Sequence, residues 1–338
     1  MNKSGFLLYN KEDYSKNKRF ADWLIEYGKA SDFDLSVLFT EDLSFHTGDY
    51  SLSEISDTLS ERHPFVCKQR TGELRKPDLI INRSRNAQAA EAFEKNGVRV
   101  FNSSKVCRIA NDKDETKRYL NDFGVSGMEY IVLPLDKLFS SDPVYEEQPL
   151  LSRARAFGYP FVTKPENGHG GNLVRRIGEE ASFSEYLTEL KSWYSSAQLR
   201  ESRGDADRKE AIVFPQKLLL ERVASDIGKD LRVYVLGNQI LAAMLRESRN
   251  NELCANFSLG GTAVPHTLTK KEQTLTERII SALPSDFIGI DFIYHNGEPV
   301  FNEIEDAVGC RMLYAFTDLD PAKEFMAYIS ASLLPHNT

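Results

Sequence analysis

Three acidic residues, Asp291, Glu303 and Glu305, have a spacing that suits a metal ion. They lie in IGIDFIYHNGEPVFNEIEDAVGCRML, residues 288–313. An apolar run there ends at Asp291, a turn follows at His295–Asn296–Gly297, and a second run ends in Glu303 and Glu305. An antiparallel hairpin brings its two ends together, which sets Asp291 beside Glu303. Glu303 and Glu305 are two residues apart and project from one face of a strand. Three carboxylates converging at a hairpin mouth repel one another unless a cation joins them. Hard oxygen ligands of this kind suit Mg²⁺, which is commonly shared with substrate phosphates. The plain alternative is an exposed acidic hairpin on an acidic protein.

A second group surrounds Lys164, which closes the run YPFVTKP and precedes NGHGG. Gly168, Gly170 and Gly171 let backbone N–H groups approach a phosphate closely, and the lysine adds a point charge for the same oxygens. This is not a Walker A motif, because the lysine precedes the glycines. An ordinary tight turn would read the same way. Further on, LLLERVASDIGKDLRVYVLGNQILAAMLR places apolar runs around Glu221–Arg222–Val223 and Asp230. A dry slot with backbone groups at its edge suits adenine, and Glu221 or Asp230 offers acceptors for ribose hydroxyls. Arg232 and Arg246 alternate with apolar residues, which turns them toward a polar cleft or simply toward solvent. Asn256 and Gly260–Gly261 form a small-residue loop before the acidic hairpin, open enough for an anionic substrate to reach backbone donors.

The elements that must position these groups follow from periodicity. GFLLYN, DLSVLFT, PDLIINRS and VRVFN read as strands, with helices over Tyr14–Gly28 and AQAAEAFEKNG between them. That alternation is the pattern of a small α/β unit with a mostly parallel sheet. Ligand-facing groups belong at its strand carboxyl ends, which points to Arg83, Ser84 and Arg85. NDKDETKRYLNDFG reads as a helix capped by Asn111 or Asp112 and stopped at Gly124. The polar stretch Trp193–Glu210 reads as a surface helix or mobile excursion. Strands dominate from Ala211 onward, and DPAKEFMAYISASLL is a closing helix.

Composition sets the bounds. The 338 residues, 41% hydrophobic and 27% charged, suit a globular protein of two or three compact units. A formal charge of −8 argues against nucleic-acid or anionic-membrane partners. No stretch has the length of a signal peptide or membrane span, so the expected location is the cytoplasm. The four cysteines lack metal-ligand spacing and read as reduced thiols, and the six histidines form no zinc pattern. No heptad or apolar stripe speaks to self-association, so a homo-oligomer stays open.

The ordered set of motifs carries a resemblance. DKxxT at Asp112–Thr116 is followed by KP and a glycine-rich loop, then DxR at Asp230–Arg232 and the arginine Arg246. Asn256–Gly261 and the acidic pattern Asp291–Glu305 complete the order. Over residues 100–315 this resembles the ATP-grasp superfamily, specifically the RimK/glutathione-synthetase-like carboxylate–amine ligases. The fold it implies is a mixed α/β (α+β) ATP-grasp fold with an N-terminal Rossmann-like pre-ATP-grasp domain at 1–104. A central subdomain with the phosphate loop follows at 105–195, and a C-terminal subdomain with the metal site at 196–338.

By this resemblance ATP is the nucleotide, with two Mg²⁺ ions, replaceable by Mn²⁺, held at Asp291, Glu303 and Glu305. Lys113 and Lys164 hold phosphates beneath the loop Gly168, His169, Gly170 and Gly171. Glu221, Arg222 and Val223 form the adenine hinge, with Asp230 near the ribose. Arg232, Arg246 and Asn256 serve catalysis, while Arg83, Arg85, Gly260 and Gly261 face the substrates. The implied reaction joins a small-molecule or peptide carboxylate to an amine through an acylphosphate. Two positions depart from the pattern: Glu305 replaces a usual asparagine, and Cys254 replaces an arginine. Arg246, Arg249 and His169 are the candidate cations for the place of that arginine. A kinase on the same fold and a non-catalytic ATP-binding regulator are the competing readings.

Overall fold

The computed structural model describes residues 3–43, 67–68, 74–135, 138, 147–168, 171, 173–202, 215–248 and 262–334. The first sheet contains β1 (Lys3–Tyr9), β2 (Phe33–Phe39), β5 (Leu79–Asn82) and β6 (Arg99–Phe101), with β3 (Cys67–Lys68) and β4 (Leu74–Arg75) forming a separate antiparallel pair. Its order is β2-β1-β5-β6, and every pairing in it is parallel. Both faces of such a sheet are covered, so its strands are nearly continuous apolar runs, as in the buried LIIN of β5. The helix expected over Tyr14–Gly28 runs from Lys11 to Ala30, because Asn10 accepts a hydrogen bond from the Asp13 N–H and caps it.

The second sheet is antiparallel, in the order β7 (Tyr130–Pro134), β10 (Lys217–Arg222), β8 (Phe161–Pro165), β9 (Arg175–Ile177). Helices Gln148–Phe157 and Glu180–Ser202 supply Leu150, Leu151, Phe183, Tyr186 and Leu187 to the core beneath it. Part of the polar stretch from Trp193 therefore belongs to a helix. The central strand β10 comes from beyond residue 196, so the sheet draws on both sides of the boundary expected there.

The third sheet is also antiparallel: β13 (Thr262–Pro265), β12 (Gln239–Glu247), β11 (Asp226–Leu236), β14 (Phe287–His295), β15 (Glu298–Glu305). Helix Lys270–Ala282 covers it, started by a capping box in which Thr269 and Glu272 satisfy each other's backbone N–H. Helices Ser104–Ala110 and Lys113–Asn121 also bury Val106, Ile109 and Leu120 in this core. A separate apolar cluster joins Leu7, Tyr9 and Leu24 of the first unit to Phe287, Phe325 and Ile329. That shared core fixes the first sheet against the third.

Candidate functional site

The acidic hairpin forms as its sequence suggests, with one change. Asn296 and Gly297 both have positive φ, as a tight two-residue hairpin turn demands. Asp291 pairs directly with Glu303, but the register then shifts, with Phe292 opposite Phe301. Asn302 is thus the extra residue of a β-bulge. Phe301 and Ile304, three apart, are both buried, while Asn302 and Glu303 line the cleft. Strict alternation would have put Asn302 and Glu303 on opposite faces. Carboxylate oxygens of Asp291, Glu303 and Glu305 lie within 4.8 Å of one another.

Strand register aims two arginines at this hairpin. Arg232 stands opposite Asp291 between β11 and β14, and Asp230 stands opposite Arg246 between β11 and β12. Arg232 donates from Nε to Asp291 Oδ1 at 2.7 Å and from Nη2 to Oδ2 at 2.6 Å. Its Nη2 also lies 2.8 Å from Glu305 Oε1. Arg246 donates from Nη2 to Asp230 Oδ2 at 2.9 Å and to Asp291 Oδ2 at 2.8 Å, and its Nε reaches Asp230 Oδ1. Burial would raise the Asp291 carboxyl, but the two guanidiniums outweigh it and hold it below the ordinary carboxylate range. Asp230 goes the other way. Its burial, opposed by Arg246 and reinforced by the Asp291 charge, raises it. The arginines therefore belong to a buried lattice with the carboxylates, rather than standing free toward solvent.

The facing wall is built from lysines. Lys164, on β8, donates to Glu221 Oε1 at 2.5 Å and to Asn302 Oδ1 at 2.8 Å. Lys117 approaches Glu221 Oε2 at 2.7 Å, an ion pair whose angles fall outside hydrogen-bond geometry. Burial opposes the Glu221 charge, yet Lys117 and Lys164 prevail and lower its carboxyl to about 2. Lys113, at the first turn of the helix capped by Asp112, donates to the Gly168 carbonyl and lies 3.5 Å from Glu303 Oε2. Its backbone N–H donates to the Glu166 carbonyl at 2.9 Å, and the Glu166 carboxylate accepts from the Gln216 and Lys217 N–H groups. These bonds tie the foot of the glycine loop to the helix and to β10. Neither Lys117 nor Asn302 was singled out from sequence. The available signal for Lys117 was its place with Lys113, Thr116 and Leu120 at i, i+3, i+4 and i+7, the buried helix face.

The two walls border one open cleft. Lys113, Lys164, Gly168, Gly171, Glu221, Arg222, Val223, Asp230, Arg246, Asp291 and Glu303 all border it. Val162, Val174, Ala224, Ile227 and Ile293 add apolar surface. Glu221 is 1% exposed and committed to lysines, so the expectation that its side chain accepts from a ribose is corrected, although the residue still borders the cleft. The Arg222 side chain turns outward to Glu129, the Gly158 carbonyl and the Phe157 ring. Arg83 and Arg85 sit at the carboxyl edge of the first sheet and not among the cleft residues. Arg83 donates to the Val308 carbonyl at 2.7 Å, and Arg85 pairs with Asp13. His169, Gly170, Arg249, Cys254, Asn256, Gly260 and Gly261 lie outside the described residues. Among those described, no helix is long and apolar enough to cross a membrane.

Residues 198–329, which carry the acidic hairpin and both arginines, match the RimK-like ATP-grasp domain. A probable alpha-L-glutamate ligase of Hydrogenovibrio crunogenus is 29% identical over 121 residues, covering 36% of this chain and 40% of that protein. The chain thus spans well under two thirds of that relative. The glutamate–LysW ligase ArgX of Sulfolobus acidocaldarius is 26% identical over 261 residues, 75% of this chain and 80% of that one. Among solved structures, a RimK domain ATP-grasp protein of Sphaerobacter thermophilus superposes with a TM-score of 0.61 at 15% identity. That match covers 98% of this chain and 100% of the other. The chain therefore has the ATP-grasp fold along its length.

Proposed function

We propose that the protein is an ATP-dependent, ADP-forming carboxylate–amine ligase acting on an amino acid or peptide. One observation carries the reading: a lysine wall faces a carboxylate hairpin across a single cleft. Lys113 and Lys164 bind the triphosphate, and the loop 168–171 closes over it. Backbone groups of Glu221, Arg222 and Val223 hold adenine against Val162, Val174 and Ile293, with Asp230 toward the ribose. The oxygen donors Asp291, Glu303 and Glu305 suit Mg²⁺, which would neutralise triphosphate charge when bound. Glu303 and Glu305 remain 28% and 19% exposed at the side chain, so they have room for an ion even while Arg232 and Arg246 grip Asp291.

The substrate carboxylate attacks the γ-phosphorus, giving an acylphosphate and ADP; an amine then displaces phosphate and forms the amide. The chain's own residues position the reactants and neutralise charge. Arg232 and Arg246 keep the hairpin carboxylates ionised and in place beside the transferring group, and Asn256 joins them in catalysis. Arg83, Arg85, Gly260 and Gly261 belong to the substrate side. Loop closure keeps water from the acylphosphate. The relatives named as glutamate ligases support an amino acid among the substrates.

The deciding experiment measures ADP release from Mg-ATP with hydroxylamine across amino acids, dipeptides and other carboxylates. Hydroxamate formed with one carboxylate is the expected result. ADP without hydroxamate would instead indicate phosphoryl transfer alone, as in a kinase. Glu303→Gln is expected to remove metal-dependent turnover, by more than about 100-fold, while the fold persists. Wild-type turnover in that variant would reject the metal assignment. A second reading, a regulator that binds ATP without turnover, is favoured by the full engagement of both Asp291 oxygens by arginine. It requires ATP binding with no ADP release for any carboxylate.

A further inference from the structure

We infer that Lys117 is the positioning residue that frees Lys164 for the nucleotide phosphates, by holding Glu221 from behind when Lys164 turns into the cleft. The inference rests on the nucleotide reading above and adds a role for a residue outside the cleft. Glu221 and Lys164 border the cleft, whereas Lys117 does not. The side chains are graded in exposure: Glu221 2%, Lys117 3% and Lys164 12%. Lys117 and Lys164 approach different oxygens of Glu221, at 2.7 and 2.5 Å. Only one of the two, Lys164, can reach a ligand.

The seat of Lys117 is built by its neighbours. A Cβ at Gly127 would lie 2.6 Å from the Lys117 ammonium and 3.0 Å from the Phe301 carbonyl, so a glycine there leaves room for it. On its other side the ammonium stands over the Tyr130 ring at 5.5 Å. No phosphate can reach this position through Glu221. Its effect is therefore exerted through the carboxylate.

With Lys164 as its only partner, Glu221 would become an uncompensated buried charge whenever Lys164 moved to a phosphate. Such a charge is strongly unfavourable, so the carboxylate would retain the lysine. With two ammoniums on one carboxylate, either can leave and the other suffices. Lys117, enclosed behind Glu221, is the one that stays.

The test compares Mg-ATP and adenosine binding, by calorimetry or displacement of a fluorescent nucleotide, in wild type, Lys117→Met, Glu221→Gln and the double variant. Lys117→Met is expected to bind Mg-ATP at least about tenfold more weakly, with adenosine within about twofold of wild type. Adding Glu221→Gln should return Mg-ATP affinity to within about threefold of wild type, since the retaining charge is gone. Unchanged Mg-ATP affinity in Lys117→Met, or equal losses for adenosine and Mg-ATP, would overturn the inference. So would a double variant as weak as the single one. If Lys117→Met does not fold, Glu221→Gln alone and the double variant must bind Mg-ATP equally, within about threefold, and a larger gap overturns the inference. A wild-type chain that does not bind Mg-ATP would overturn the nucleotide reading itself, and this inference with it.

Discussion

The two walls of the cleft handle buried charge in opposite ways. On the hairpin side, two guanidiniums serve three carboxylates, with bidentate contacts to Asp291 and Asp230 and a single one to Glu305. On the sheet side, two ammoniums serve one carboxylate, Glu221, through single contacts. Arginine's planar fork matches a carboxylate and holds its place, while lysine is a point charge on a flexible stem. One wall thus keeps negative charge in a set geometry, and the other carries spare positive charge that can move. A polyanion and its counter-cation need both.

The sharpest way to break this contrast is to remove one cation from each wall. Arg232→Met leaves Asp291 and Glu305 short of their main partner and is expected to cost about 3–5 kcal/mol of stability. Lys164→Met leaves Glu221 still held by Lys117 and should cost only roughly 1–2 kcal/mol. Urea unfolding at neutral pH measures both, and equal losses would mean that the walls do not differ. Acid titration sharpens the comparison next. The Glu221 carboxyl is lowered from 4.5 to about 2, so its contribution is present above the unfolded value and is lost as pH falls through that window. Glu221→Gln should therefore make stability less steep in pH between those values, by at most about 1.4 kcal/mol per pH unit. Parallel curves for variant and wild type would remove Glu221 from the lysine wall. The smallest effect concerns the bulge: Asn302→Ala deletes one acceptor from Lys164 and should cost about 1 kcal/mol. A loss of several kcal/mol in that variant would show that Asn302 holds the hairpin itself.

The parts of the site that local rules govern were readable from sequence. The turn at Asn296–Gly297 and the flanking apolar runs set Asp291 beside Glu303, and the chain closes as that pairing requires. The helix beginning at Lys113, with its Asp112 cap and a positive-φ Gly124 just beyond its end, was equally legible. What escaped depends on contacts between distant segments. The bulge at Asn302 arises where β14 and β15 pack over a core that wants both Phe301 and Ile304, and alternation alone cannot announce it. The direction of the Glu221 side chain is set by Lys117, over a hundred residues earlier, and by Lys164. Single-strand reading saw a hinge acceptor where the fold places an internal counter-ion. The order of the second sheet was hidden for the same reason.

That order has a consequence for how the protein can be made and divided. Strands β7 and β8 do not pair with each other; each pairs with β10, which lies between them and is completed only at Arg222. A fragment ending at residue 195 would present two open strand edges with nothing between them, a template for association with other chains. During synthesis the same edges stay unpaired until residue 222 has emerged, which makes this sheet a late, non-local folding event. The lysine wall therefore cannot assemble early, because Lys164 and Glu221 meet only when that last strand slots in.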